Sequence, residues 1–536
     1  MRISILIFLT MVSFLFSQDE VDPAYMASFG SVTINGKLYN QISVRPEFST
    51  NKIGMGFDIY LYFDEDGNLY RENWDFTSPR ASFKTIVDKI YYFRYGQPFD
   101  DLYFRIGALP KVTLGYGILI NDYANNIDYP QIRRSGIDLR YQVSGFKLQF
   151  IHSDLKEINK PGLIGFRGSV PMVENFNIGF SIASDFNQYN GLVDSDGDGY
   201  PDFVEPDYAD DADYYHENQF IIEQLQSNPG CFDTTVDTML LGCENAISNF
   251  SDEIIADFTD VMNNKDNITG LALDLGFQIN DRFSIYSEYA QLLGETSDPR
   301  DMNDPEKFDT TLGYGFIPIG VSANFGGVEF SMDYRKNSDN FIFSYWDKNY
   351  DHNRIMENNG ILITKESTLY KYGSQKGINL GLEANVSKFF KFSLDYAKMK
   401  GNIWKSGSCN NSVYNNPLDC ENNQWQNPDD DDDSLANGEW TNSAYSKEKN
   451  NSLYLKLQID TSSIPQVQIA EVFYQQTNSR NPFQFKPNQN SLFGYNVGIN
   501  LSNNMIVVLK GRKSFEFNEN GYKPVHSTQI ETSVYF

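Results

Sequence analysis

Histidine is scarce in this 536-residue chain: there are four, His152, His216, His352 and His526. None stands in a Ser/His/Asp spacing of the kind nucleophilic catalysis needs, so no enzyme is expected. Cysteine is equally rare, with four residues forming two close pairs, Cys231/Cys243 and Cys409/Cys420, each inside a polar stretch. Neither pair has Cys-x-x-Cys spacing or a nearby His, which argues against a metal site; in an exported chain both read as disulfides closing local loops. Basic residues are outnumbered, 43 Lys plus Arg against 71 Asp plus Glu, for a net charge of -28. So acidic a chain repels phosphate backbones, and nucleic acid is excluded as a partner. Finally, beyond the first residues no apolar run approaches the roughly 20 residues of a transmembrane helix.

What is present points elsewhere. Residues 1–17 carry Arg2, then an apolar run from Ile3 to Phe16 broken only by Ser and Thr; polar Gln18, Asp19 and Glu20 follow. That is the layout of a secretory signal peptide, with Ser17 a small residue before the cut, and its run is shorter than the roughly 17 residues a spanning helix uses. The mature chain, 18–536, is polar on average (mean hydropathy -0.45) yet holds 34 Tyr and 41 Phe. A transmembrane barrel has this profile for a physical reason: only alternate residues face lipid, and aromatic girdles mark both interfaces.

Alternation is the main signal. Ile53, Met55, Phe57, Ile59, Leu61 and Phe63 alternate with Gly54, Gly56, Asp58, Tyr60 and Tyr62. The same period of two runs through Leu271–Ile279, Ile378–Val386 and Phe493–Leu501. Strands with such different faces have one face in an apolar medium and one in a polar medium. Their length, ten residues or more, suits a tilted bilayer crossing of roughly 9–11 residues. Short turns are expected near 49–52, 99–101, 144–145, 173–175, 280–281, 326–327, 387–388 and 503–504. Between them lie long polar links at 64–88, 118–135, 187–268, 294–312, 338–376, 401–450, 478–491 and 517–525. Long links on one side and short turns on the other orient a barrel, with the long links outward. The pattern predicts an all-β, antiparallel transmembrane β-barrel of about 18 strands, with 16 or 20 also compatible. That number treats Asn35–Gly36 as lying inside one continuous strand rather than at a hairpin.

At the end of the chain Ile530, Thr532, Val534 and Phe536 share one face. With the leader and the alternation, this resembles Gram-negative outer-membrane barrels of the porin-like kind, whose terminal aromatic residue is read by the membrane's insertion machinery. The resemblance implies outer-membrane lipid and that machinery as partners; it leaves the oligomeric state open.

The polar faces supply Asp58, Arg140, Lys147, Asp274, Glu288, Glu329, Asp333, Arg335, Glu383, Asp395, Lys456 and Glu531 to the lumen. A mixed-charge lining suits water and hydrophilic solutes, and a barrel of this size is wide enough for an aqueous channel. The segment 117–136, with Asp128, Arg133 and Arg134, is a candidate constriction loop whose arginines would oppose wall carboxylates. The bland alternative is an ordinary loop whose arginines pair with neighbouring acidic loops.

The insert 187–268 begins with Asp194, Asp196, Asp198, Tyr200, Asp202 and Glu205, spaced as D-x-D-x-D-G-x5-E. Carboxylates two apart on a tightly turning loop converge on one point, as a calcium ion with six to eight oxygen ligands requires. The run resembles EF-hand-type and aspartate-rich extracellular calcium loops, with calcium in a structural role, although Pro206 disfavours the exiting helix of a true EF-hand. Beyond it, a short helix at Phe220, Ile221 and Leu225, a second at helical spacing near 244–263, and the Cys231/Cys243 pair between them suggest a small stapled subdomain. The functional expectation is a porin-like channel for passive diffusion of small hydrophilic solutes. The alternative is a closed-barrel surface protein that presents calcium-stabilised loops for binding or adhesion.

Overall fold

The computed structural model describes residues 24–34, 37–70, 74–126, 133–157, 162–191, 232–233, 238–239, 266–297, 309–358, 361–385, 390–405, 407–410, 420, 424–426, 435–437, 439–459, 467–486, 491–502, 505–518 and 521–535. The first part of the wall comprises β1 (Ala24–Ile34), β2 (Lys37–Ser49), β3 (Ile53–Phe57), β4 (Ile59–Phe63) and β5 (Ile90–Tyr95). Next come β6 (Leu102–Gly107), β7 (Gly136–Val143), β8 (Phe146–His152), β9 (Leu163–Val173) and β10 (Phe176–Asp185). After the longest link follow β11 (Ile268–Gln278), β12 (Phe283–Leu293), β13 (Tyr314–Asn324), β14 (Val328–Asn337) and β15 (Tyr372–Asn385). The wall ends with β16 (Phe390–Lys405), β17 (Ala444–Ile459), β18 (Val467–Ser479), β19 (Ser491–Ser502), β20 (Met505–Asn518) and β21 (Gly521–Tyr535).

Neighbouring strands pair antiparallel throughout. Phe29 of β1 lies opposite both Ile42 of β2 and Thr532 of β21, so the first strand meets the last and the sheet closes on itself. Both β3 and β4 pair with β2, forming one stave broken at Asp58. The 21 strands of the main sheet therefore make twenty staves, the even number expected of a bacterial barrel.

Twenty is the upper end of the expected range, and the two extra staves come from the hairpin at Asn35–Gly36 and from Ile90–Tyr95. Ile34 pairs with Lys37 and Val32 with Tyr39, so β1 and β2 are separate staves. The physical reason is length: one strand from 24 to 49 would be more than twice the roughly 9–11 residues of a bilayer crossing. An Asn-Gly pair is also the preferred two-residue hairpin sequence. Ile90–Tyr95 is a stave as well, and the expected long link at 517–525 shrinks to residues 519–520.

The ends of the barrel differ as the link lengths require. One end carries only short connections, including 144–145, 174–175, 325–327 and 503–504. Ser144 and Gly145 both take positive φ, 49° and 87°, the geometry whose twist matches the flanking strands of a two-residue hairpin. The other end carries the links 64–89, 108–135, 186–267, 338–371 and 406–443. Within the first of these, helix α1 (Pro79–Asp88) starts on Ser78, whose Oγ accepts from Ala81 N at 3.1 Å.

The wall is apolar outside and polar inside. On β11 Leu273 and Leu275 are 47% and 37% exposed, whereas Ala272 and Asp274 are 3% and 2% exposed. A soluble sheet would bury its leucines; this barrel exposes them on its outer face and turns its carboxylates inward. Among the described residues no helix is long and apolar enough to cross a membrane.

Candidate functional site: a lumen divided by two inward links

Two of the long links turn into the barrel. Leu109, Val112, Leu114, Ile118, Leu119, Ile120 and Tyr123 of the 108–135 link join Phe341, Tyr345, Trp346, Tyr350 and Leu369 of the 338–371 link in one buried cluster. The cluster rests on inward-facing residues of the wall: Ile151 of β8, Ala183 of β10, Ala272 of β11, Tyr286 and Ala290 of β12 and Ile317 of β13. Small inward residues make the room. A side chain at Gly270 would come within 2.9 Å of Leu119 and 3.0 Å of Trp346.

The links also bond to each other and to the wall through polar groups. Trp346 N donates to Leu119 O at 3.0 Å, Asn121 N to Trp346 O at 3.1 Å and Ser344 N to Ile118 O at 2.9 Å, a short parallel pairing within the lumen. Glu288 of β12 accepts from Tyr116 N at 3.2 Å and Ile118 N at 3.1 Å. Just before them the chain passes so close that a side chain at Gly115, whose φ is +63°, would collide with the Glu288 carboxylate. Buried backbone donors need such partners. The second link is anchored by Arg354, which pairs with Asp185 of β10 at 3.0 Å, while Tyr350 OH donates to the same carboxylate at 2.8 Å. Tyr123 OH donates to Asp351 at 2.7 Å, tying one link to the other.

A second polar node closes the base of the second link. Gln188 Nε2 donates to Glu366 at 2.9 Å and to Asp266 at 3.1 Å, and Tyr345 OH donates to Gln188 Oε1 at 2.9 Å. Burial pushes the Glu366 carboxyl up to about 9, and the neighbouring Asp266 adds to the shift. Burial also raises Asp266.

The other side of the lumen stays open. A cavity of about 180 Å³ lies between the links and the inner faces of β14 to β18. Asn121 and Asp122 border it from the first link, and Phe341, Phe343, Asp347 and Lys348 from the second. The wall contributes Arg335, Gln375, Asp395, Asn450, Tyr454 and Gln475. Several charges here are already neutralised. Arg335 pairs with Asp333 at 2.6 Å, Lys365 with Asp347 at 3.8 Å and Lys111 with Asp122 at 3.4 Å. Lys111 also reaches across to pair with Glu383 of β15. Lys348 lies over the Tyr454 ring; burial pushes its ammonium down to about 7, against the pull of Asp122, Asp347 and Asp395.

The constriction candidates are placed next to carboxylates. Arg133 pairs with Asp58 of the wall at 3.4 Å, donates to Tyr62 OH at 3.0 Å and lies 3.6 Å from the Tyr60 ring centre. Arg134 pairs with Asp351 of the second link at 3.9 Å. Neither is among the residues lining the open cavity. Asp128 lies outside the described residues, as do Asp194, Asp196, Asp198, Tyr200, Asp202, Glu205, Cys231, Cys243 and the expected helices at 220–225 and near 244–263. Cys409 and Cys420 are joined in a disulfide, the local closure their spacing suggested. The role of 338–371 went unread in the sequence, although Phe341, Ile342, Phe343, Tyr345 and Trp346 form an apolar run that an ordinary outer loop does not need.

No protein-family model matches the chain, and no curated protein matches it. Among solved structures it is similar to OpdK of Pseudomonas aeruginosa, solved with vanillate, at 9% identity over 96% of this chain and 98% of that one, with a TM-score of 0.29. It is also similar to the siderophore receptor PirA of Pseudomonas aeruginosa, at 9% identity, 97% and 81% coverage and a TM-score of 0.31. A third is OmpF of Salmonella typhi in complex with daunomycin, at 10% identity, 70% and 89% coverage and a TM-score of 0.26. Likeness at this level assigns no ligand and no activity to this chain.

Proposed function

We propose that this protein is an outer-membrane channel of a diderm bacterium, passing small hydrophilic solutes by diffusion past its two inward links. The observation that carries this reading is the division of the lumen: one side is packed dry, while a polar cavity remains along β14 to β18. Mixed charge and carboxamides along that route replace part of a solute's hydration shell, which a greasy lining would not. Arg133 and Arg134 brace the links against Asp58 and Asp351 and keep the opening at a fixed width.

The remaining parts of the reading concern export and the insert. The leader is cut after Ser17, the last strand engages the insertion machinery, and the long links face outward. Asp194, Asp196, Asp198, Tyr200, Asp202 and Glu205 hold a structural calcium ion that staples the 187–268 insert. Replacing Asp194, Asp196 and Asp198 by Ala is then expected to abolish calcium-induced protease resistance of the insert; resistance that persists removes the site.

A second reading, a closed surface barrel, is favoured by the extent of the packed cluster and by the Lys111–Glu383 bridge across the lumen. Purified protein in a planar bilayer separates the two. The channel gives stepwise ohmic conductance; a membrane that stays silent across the voltage range overturns it and leaves the surface barrel.

A further inference from the structure

The lining of the open cavity has a chemistry of its own. Besides Asn337, which is tied off to the carbonyls of Ser338 and Phe341 at 2.7 and 3.2 Å, six carboxamides face it: Asn121, Gln375, Asn379, Asn450, Gln475 and Asn478. Some bond to each other or to the wall. Asn450 Nδ2 donates to Gln375 Oε1 at 2.9 Å, Asn478 Nδ2 to Tyr372 OH at 2.7 Å, and Asn379 Nδ2 to Asp333 at 3.3 Å.

Two amide atoms are left over. Gln375 Nε2, a donor, and Gln475 Oε1, an acceptor, are enclosed and lack a protein hydrogen-bond partner. Both residues are only 6% exposed and both line the cavity. An enclosed polar atom without a partner costs roughly 1–3 kcal/mol, so its partner is to be sought in whatever fills the space. Next to them lie the carboxylate of Asp395, the ammonium of Lys348 and the aromatic side chains of Phe341, Phe343 and Tyr454, the last with Lys348 over its ring.

We infer that the cavity is a binding station for a neutral polyhydroxylated solute of monosaccharide size, held by Gln375 and Gln475 against an aromatic wall. Each hydroxyl both donates and accepts, so it satisfies the free amide donor and the free amide acceptor alike. Phe341 and Phe343 in the lining supply apolar surface for the C–H groups of such a solute. An anion or cation finds less to bind, because Arg335, Asp347 and Asp122 are each engaged by an opposite charge of the protein, and the remaining lining charges, Lys348 and Asp395, are of opposite sign and act on each other. At 180 Å³ the space is about a dozen times the roughly 10–15 Å³ that one water needs. This inference rests on the channel reading for its consequence, selective passage, but the site itself does not need a current to be detected.

The test uses the full-length protein in two formats. In planar bilayers the KCl current is recorded during titration with D-glucose, and separately with glycine and with succinate. In detergent, D-glucose binding to the same preparation is followed by calorimetry. The expected result is saturable block by D-glucose, with little effect of glycine or succinate. Gln375→Leu and Gln475→Leu are each expected to weaken the block about tenfold, the loss of one well-made hydrogen bond. Heat-modifiable gel migration shows whether each variant has folded, and the wild-type solute series decides the matter without them. Current without block by D-glucose, or block by glycine or succinate instead, overturns the assignment while the channel reading stands. D-glucose binding without current, lost in Gln375→Leu, keeps the site and removes the channel. Neither current nor binding removes both.

Discussion

The two sides of the lumen are built on the same alternating strands and end up as opposite environments. Along β8 to β13 the inward residues include Ala183, Gly270, Ala272, Ala290 and Gly315, and two apolar link segments fill the space they leave. Along β14 to β18 the inward positions carry Arg335, Gln375, Asp395, Asn450 and Gln475, and the space remains a polar cavity. Alternation therefore says only which residues face inward. The size and polarity of those residues decide whether the lumen is packed or wet. A Gly or Ala offers a docking surface for a link; an amide or charge resists being dried unless it is fully bonded.

The most severe way to break this contrast is Trp346→Ala. Trp346 is fully buried and packs over Gly270, and emptying such a position costs about 3–5 kcal/mol. The 338–371 link is expected to leave the wall, raising single-channel conductance several-fold and exposing the link to protease. Unchanged conductance and unchanged cleavage would show that the indole does not hold the link in place.

Glu288→Ala acts next. It strips the partner from Tyr116 N and Ile118 N, at roughly 1–3 kcal/mol for each buried donor left unpaired. The 108–135 link is expected to become cleavable while the barrel itself keeps its heat-modifiable migration; a resistant link would assign its docking to apolar contacts alone.

The sequence conveyed the wall well and the lumen poorly, and the reason is physical. An apolar outer face and a polar inner one force a period of two that survives in any strand, so Leu271–Phe277 could be read directly. At Asn35–Gly36 alternation alone preferred a single strand, and the combination of bilayer thickness and turn chemistry made two. The inward links follow no periodicity. Their legible trace was the coincidence of an apolar run, Phe341–Trp346, with glycine and alanine on the inward faces of distant strands. Arg133 and Arg134 stood out by charge and do meet carboxylates, yet they do not line the opening, whose lining includes several uncharged amides that attract no notice in a polar sequence.

Protons offer a gentler probe of each side. Glu366, held up from 4.5 to about 9, stays protonated while the second link is docked. A raised carboxyl favours docking fully below its ordinary range and loses that contribution as pH rises through about 9. Protease cleavage of the 338–371 link is therefore expected to rise progressively between about pH 5 and 9 and to level off above that, with Asp266 acting in the same direction. Glu366→Gln is expected to flatten most of that rise; an equally steep rise in the variant would place the titration elsewhere.

On the open side the expected effect is smaller. Lys348, lowered to about 7, carries its charge at pH 6 and loses most of it by pH 8. The lining thus becomes more negative as pH rises, and cation preference measured by reversal potential should increase modestly over that interval. Lys348→Met should hold the high-pH preference at both pH values; a pH response that persists in it would rule Lys348 out as its source.

The division of the lumen can be tested without any assumption about the solute. Ala290→Cys places a thiol under the packed links, and Ser452→Cys places one in the cavity wall. Both variants, in intact barrels, would be treated with a small charged, membrane-impermeant thiol reagent and their modification rates compared. The account predicts rapid modification at Ser452→Cys and protection at Ala290→Cys. Equal rates at the two positions, or faster reaction at Ala290→Cys, would contradict it.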